Sequence, residues 1–300
     1  MAHESNLLCT LSDSLVARFA TAKGSVASVR LSERAHLAAI LWRNDVLVSS
    51  EQSLPGRETL EAILPDGSCI QGRLAGRDPS TNVAVIRLER PVSAPTLAAS
   101  FPRMGALVIA AGSDGEGRAS ARLGMVNAVG PEWHSMRGGR IEARIQLDIG
   151  LAASEEGGPA FDAAGGWLGM TTLGPRGQIL VIPAATVERI APVLSASGRL
   201  PRGWLGIALR PVAVPDELRE AAGEASGLMV MSLSPEGPAG KAGIVAGDII
   251  LSVAGTAARR LWGVLAHLGA DSIGKPVSLR LIRGGGIVVI EAMITEWPPT

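Results

Sequence analysis

The sequence predicts a mainly β chain of two domains, the second a small α+β module. Three observations carry this. The chain has 300 residues, about twice the length of an ordinary domain. Short runs of β-type residues recur at ~8–12-residue spacing up to Pro183, with turn residues between them, the pattern of a barrel or sandwich. A polar Gly/Pro stretch over 195–202 then separates this part from a segment with a different rhythm.

The elements follow in chain order. Leu11, Leu15, Val16 and Phe19 have helical spacing and predict a short packing or oligomerising helix over 11–22. Strands are expected at 26–31, 36–41, 46–49, 59–64, 68–76 and 82–89. Pro65-Asp66-Gly67 between two alternating runs is a hairpin signal. Further strands are expected at 107–111, 120–129, 141–147, 167–172 and 179–183, closed by a helix over 184–196 with Ile190, Val193 and Leu194 on one face. The last segment predicts strands at 204–210, 228–233, 248–253, 277–282 and 288–294, with helices at 237–242 and 260–268. The expected division is 1–24 as an N-terminal helical segment, 25–198 as the β domain and 199–300 as the α+β domain.

Composition narrows the function classes. Lys+Arg and Asp+Glu are both 28, so net charge is zero and nothing points to nucleic acid or an acidic membrane surface. Hydrophobic residues make up 47%, enough for sizeable cores. No apolar window is long enough for a transmembrane helix. The start lacks a basic n-region and a long apolar h-region, so by itself it reads as cytoplasmic rather than secretory. Cys9 and Cys69 make no disulfide framework. No metal-ligand spacing and no cofactor motif is present. Tyr is absent, and His3, His36, His134 and His267 are the only histidines any mechanism has to draw on.

The last hundred residues resemble a PDZ domain of the bacterial HtrA/Deg kind. The matching segments are Arg202-Gly203-Trp204-Leu205-Gly206-Ile207, Gly227-Leu228-Met229-Val230, Ser234-Pro235-Glu236-Gly237-Pro238-Ala239 and Ala242-Gly243-Ile244-Val245-Ala246-Gly247-Asp248-Ile249-Ile250. The resemblance implies that Trp204, Leu205, Gly206 and Ile207 form the loop and strand edge whose N–H groups capture a peptide C-terminal carboxylate. Leu261, Leu265 and Leu268, at i, i+4, i+7, are expected on the far wall of an apolar groove, with a plain core role as the other reading.

The first two hundred residues resemble the trypsin-like, double six-stranded β-barrel protease domain of the same family. Leu47-Val48-Ser49-Ser50-Glu51-Gln52-Ser53-Leu54 stands where the family has a strand ending in Thr-x-x-His-Val-Val. Gly76-Arg77-Asp78-Pro79-Ser80-Thr81-Asn82-Val83-Ala84 matches Gly-x-Asp-Pro-x-Thr-Asp-Leu-Ala. Glu155-Glu156-Gly157-Gly158-Pro159-Ala160-Phe161-Asp162 matches Asn-Ser-Gly-Gly-Pro-Leu-x-Asn.

Carried over position by position, the His place holds Gln52, the Asp place Asn82 and the Ser place Glu156. An amide is no general base at neutral pH, Asn82 lacks the charge that stabilises an imidazolium, and a carboxylate is a far poorer acyl acceptor than an activated hydroxyl. The oxyanion-hole segment is Ser154, Glu155 and Glu156, so two carboxylates flank a site meant for developing negative charge. Each of them is read either as a surface loop charge or as a group folded into the hole.

The reading is therefore a non-catalytic HtrA/Deg-like homologue, a pseudoprotease. It is expected to bind peptides or protein C-termini, with a scaffold, chaperone-like or regulatory role, an active relative being one expected partner. Two other readings fit the same residues: a serine endopeptidase with relocated residues such as Ser154 with His134, and a structural or assembly subunit with an idle groove. The resemblance further implies a trimer and a periplasmic or cell-envelope setting.

Overall fold

The structure, a computed structural model, describes residues 6–114 and 116–298. The chain divides into two compact units. The first runs to Trp133 and resumes over Ile141–Arg199; the second comprises His134–Arg140 and Leu200 onward.

The first unit opens with α1 (Leu7–Ala22), whose start is capped by Asn6 accepting from Leu8 N–H at 3.1 Å. The helix starts earlier than its apolar spacing suggested. Of the four expected packing residues, Leu15 and Phe19 are half-buried, while Leu11 and Val16 are exposed. Six strands then close a barrel: β1 (Val26–Arg30), β2 (His36–Arg43), β3 (Val46–Ser50), β4 (Thr59–Ile63), β5 (Cys69–Asp78) and β6 (Val83–Leu88), in the order β1-β2-β3-β6-β5-β4. The interior is a continuous apolar cluster including Leu37, Leu47 and Ile86.

The second barrel uses β7 (Leu107–Ser113) and β8 (Ala119–Gly130). A hairpin of β9 (Trp133–His134) and β10 (Arg140–Ile141) follows, then β11 (Arg144–Asp148), β12 (Pro159–Asp162), β13 (Trp167–Leu173) and β14 (Ile179–Pro183). It closes in the order β11-β14-β13-β12-β7-β8 around Val108, Ile145 and Leu168. Strand β12 is too short and Gly/Pro-flanked to announce itself as a strand. The closing helix α2 (Ala184–Ser197) buries Ile190 and Leu194, but Val193 points outward at 37% exposure, because one residue of helix rotates it ~100° from Leu194.

The second unit is built from β15 (Gly203–Trp204), β16 (Ile207–Ala213), α3 (Arg219–Ala222), β17 (Ser226–Leu233), α4 (Pro238–Lys241), β18 (Ile249–Val253), β19 (Thr256–Ala257), α5 (Leu261–Leu265), β20 (Pro276–Arg283), β21 (Gly286–Met293) and β22 (Thr295–Glu296). The main sheet has the order β16-β17-β18-β20-β21, so one edge of β16 is unpaired. The core gathers Leu205, Leu228, Ile250 and Leu279. The predicted helix over 260–268 stops at Leu265. Leu268 lies in the turn after it, its N–H bonded to Leu265 O at 3.1 Å, and packs against the core rather than extending the helix face.

Both cysteines are free and exposed. His3 lies outside the described residues. No described helix is long and apolar enough to cross a membrane.

Candidate functional site

Three local features bring the altered positions together. Antiparallel pairing of β3 with β6 sets Ser50 opposite Val83, which leaves Asn82 beside the end of β3. Asn82 itself is in the left-handed region, at φ 60°, which Asn tolerates better than most residues. The turn before it is tied by the buried Asp78 carboxylate, which accepts from Ser80 Oγ, Thr81 N–H and Thr81 Oγ1 at 2.8, 3.1 and 2.6 Å. From the other barrel, the loop after β11 reaches β2 and β3 at Gly157. There φ is 87° and a Cβ would stand 2.4 Å from Ala38 O and 2.5 Å from Ser49 Oγ. Only glycine permits that approach.

Glu156, one residue before, is driven inward and is 1% exposed. Its Oε1 accepts from Gln52 Nε2 at 2.5 Å, Thr172 Oγ1 at 2.7 Å, Ser50 Oγ at 2.9 Å and Leu173 N–H at 3.2 Å. Its Oε2 accepts from Ser53 Oγ at 2.6 Å. Asn82 completes the cluster. Its Oδ1 accepts from Gln52 N–H at 2.7 Å, and its Nδ2 donates to Ser50 Oγ at 2.9 Å and Thr172 Oγ1 at 2.8 Å. Gln52, Asn82 and Glu156 therefore meet in one network. No described histidine hydrogen-bonds to any of them.

Glu155 turns the other way. It is 6% exposed, and its carboxylate accepts from Ser120 Oγ at 2.7 Å, Arg122 Nε at 3.0 Å and Ala152 N–H at 2.9 Å. Burial pushes its carboxyl up, but the Ala152 amide, the Ser120 hydroxyl and the Arg122 guanidinium together outweigh that and hold it below the usual value. Neither glutamate is a surface loop charge. Nor does either carboxylate take the Glu156 N–H, which bonds to Ala153 O at 3.4 Å, closing a short helical turn, Ala153–Glu155, that contains Ser154. The loop-charge reading fails because Gly157 and Gly158 leave the chain no room to hold these side chains away from the barrels.

The second unit holds the other candidate site. Gly206 has φ 73° and a Cβ there would stand 2.7 Å from Gly237 Cα, so the loop is closed only with glycine. The loop carbonyls are used inward: Leu205 O accepts from Ala239 N–H at 3.0 Å and Gly206 O from Ser234 N–H at 2.8 Å. The N–H groups of Leu205 and Gly206 have no acceptor among the described residues. They stand at the head of β16, whose free edge runs beside α5. Along this stretch Leu205 belongs to the core, Ile207 and Leu209 are half-buried, Leu265 is half-buried and Leu261 is 47% exposed. Trp204 lies over Gly206, and its ring meets Trp297 at 6.3 Å between centroids.

A contact absent from the sequence reading involves the tip of the β9–β10 hairpin. Gly138 packs against Leu265, where a Cβ would be 2.6 Å from Leu265 O, and Arg202 Nη1 donates to Arg137 O at 2.9 Å. No sequence signal joins residues so far apart. His267, after α5, is half-buried; burial and the neighbouring His134 both push its pKa down.

Two closed six-stranded barrels followed by a small α+β unit with an open edge strand define a trypsin-like peptidase fold joined to a PDZ domain. Models of the trypsin-like peptidase domain and of the PDZ domain match residues 38–170 and 203–293. Curated relatives include probable periplasmic DegP-like serine endoproteases from Brucella suis (29% identical over 226 residues, 72% of this chain and 44% of the relative) and Bartonella henselae (29% over 263 residues, 84% and 51%). Similar solved structures include the HtrA-type protease AlgW with a decapeptide (TM-score 0.72, 21% identical, covering 97% of this chain and 99% of that one) and the serine endoprotease from Yersinia pestis (0.70, 23%, 94% and 97%). In both domains and in their order the chain is similar to HtrA-type proteases. It spans about half the length of the curated relatives it matches.

Proposed function

We propose that this chain is a non-proteolytic HtrA-type protein that binds peptides or protein C-termini through its PDZ domain, in a scaffold or regulatory role. The carrying observation is Glu156. By the motif match Glu156 takes the nucleophile's place, and the five donors on its carboxylate include Gln52, matched to the general base. Among the described residues no histidine is paired with a hydroxyl there as the general base of acyl transfer. The Leu173 N–H, on the strand facing the site, is spent on Glu156 as well.

The second unit supports the binding half of the reading. Two unpaired amides at Leu205 and Gly206 suit a terminal carboxylate, and the free edge of β16 suits an added strand. One of the similar structures is a complex with a decapeptide, which favours a peptide as the ligand class.

Casein and peptide-ester cleavage test the first half; turnover abolished by a serine-directed phosphonate overturns it. Titration with peptides bearing free or amidated C-termini tests the second. The free form is expected to bind at least ten-fold more tightly, and equal binding or none overturns it. The protease names of the curated relatives favour one rival, an endopeptidase with rearranged residues. That rival requires any activity to vanish in Ser154→Ala.

A further inference from the structure

We propose that the converted site is a carboxylate-binding pocket built jointly by the two barrels and filled in cis by Glu156, so that it latches one barrel to the other. The donors come from both sides. Ser50, Gln52 and Ser53 lie at the end of β3 and in the turn after it, in the first barrel; Thr172 and Leu173 end β13, in the second barrel.

The polarity of the network is arranged for an acceptor at its centre. Ser50 Oγ and Thr172 Oγ1 each accept from Asn82 Nδ2, which leaves their own protons for an acceptor; Glu156 Oε1 stands 2.9 and 2.7 Å away, nearer to Ser50 Oγ than Asn82 Oδ1 at 3.2 Å. Asn82 is held to this orientation because its Oδ1 takes the Gln52 N–H. Gln52 in turn anchors its amide between Glu156 and Leu173 O at 3.0 Å. Asn82, Gln52 and Glu156 thus form a matched set. A carboxylate in place of Asn82 would draw the two hydroxyl protons away from Glu156.

Glu156 also differs from two other buried carboxylates, Glu155 and Asp248. Glu155 is held by Arg122 and Asp248 by Arg283. Glu156 is held by neutral donors alone, which fits a pocket that recognises the planar two-oxygen group by hydrogen bonding. A short monocarboxylate is the free ligand of the same chemistry. The inference stands whether or not the PDZ groove takes a peptide.

The experiment uses the full chain with Glu156→Ala and formate or acetate as the probe, with chloride at matched ionic strength. The variant is expected to unfold at lower temperature than the unsubstituted chain. Formate is expected to raise its Tm in a saturable way and to leave the unsubstituted chain at the chloride value. An E156A protein recovered in folded form only with formate is the same result in stronger form. Equal Tm for variant and parent, or no difference between formate and chloride, overturns the proposal. Thr172→Val, which removes one donor while keeping shape, is expected to weaken formate binding to E156A at least five-fold. Unchanged binding there also overturns it.

Discussion

Replacing Asn82 with the acid its family carries should harm this protein. In Asn82→Asp the two bonds from Nδ2 to Ser50 and Thr172, at 2.9 and 2.8 Å, are lost. Each is worth about 1 kcal/mol net. The new carboxylate also faces Glu156. Both groups touch Ser50 Oγ at 2.9 Å, so they lie no more than about 6 Å apart. Two unit charges at ~6 Å and an effective dielectric of about 20 repel by about 3 kcal/mol. The expected cost is therefore about 4 kcal/mol, allowing for some relaxation of the side chains. Denaturant unfolding at neutral pH measures it, followed by far-UV circular dichroism. The double variant with Glu156→Gln isolates the charge part, because only the hydrogen-bond loss of about 2 kcal/mol remains there. A single variant within about 0.5 kcal/mol of the parent, the scatter of an ordinary surface substitution, would refute the reasoning. So would an identical cost in both backgrounds.

Gly206→Val forces a side chain into φ 73° and to 2.7 Å from Gly237 Cα, so C-terminal peptide binding should fall at least ten-fold, measured by titration with a labelled free-C-terminus peptide. Glu155 has a folded-state pKa below its ordinary 4.5, so its contribution is present above that value and is lost as pH falls through the lowered one. Glu155→Gln should therefore lower stability at pH 7 and flatten the acid side of the pH–stability curve below about 4.5, and a parallel curve would contradict the assignment. His267 has a folded-state pKa below its ordinary 6.5, so its neutral form favours folding above 6.5 and stability of the second unit declines as pH drops below it. His267→Asn should remove that decline, measured by thermal unfolding from pH 7.5 to 5.

Much of the fold was legible because its signals are local. Alternation marked the strands of the first barrel, Pro65-Asp66-Gly67 marked a turn, and the Gly-rich segments from Arg202 to Ile250 marked the second unit. The site was legible in part. The family's motif spacing named Gln52, Asn82 and Glu156 as one constellation, and the carboxylates as the unexpected chemistry. Helix ends were less accessible: apolar spacing carried the last helix to Leu268, but the chain turns at Leu265, where tertiary packing of Gly138 meets it.

Residue identity alone determined what Gln52, Asn82 and Glu156 can offer chemically, since no arrangement gives an amide the basicity of imidazole or a carboxylate the nucleophilicity of an activated hydroxyl. It could not say where two adjacent glutamates point. That was decided by the packing of one barrel on the other. Gly157 presses the loop against Ala38 and Ser49, which sends Glu156 into donors more than a hundred residues away in sequence, at Ser50, Gln52 and Ser53, and leaves Glu155 to Arg122. Hydrogen-bond direction, burial and charge balance are properties of that three-dimensional neighbourhood, and only the folded chain assembles it.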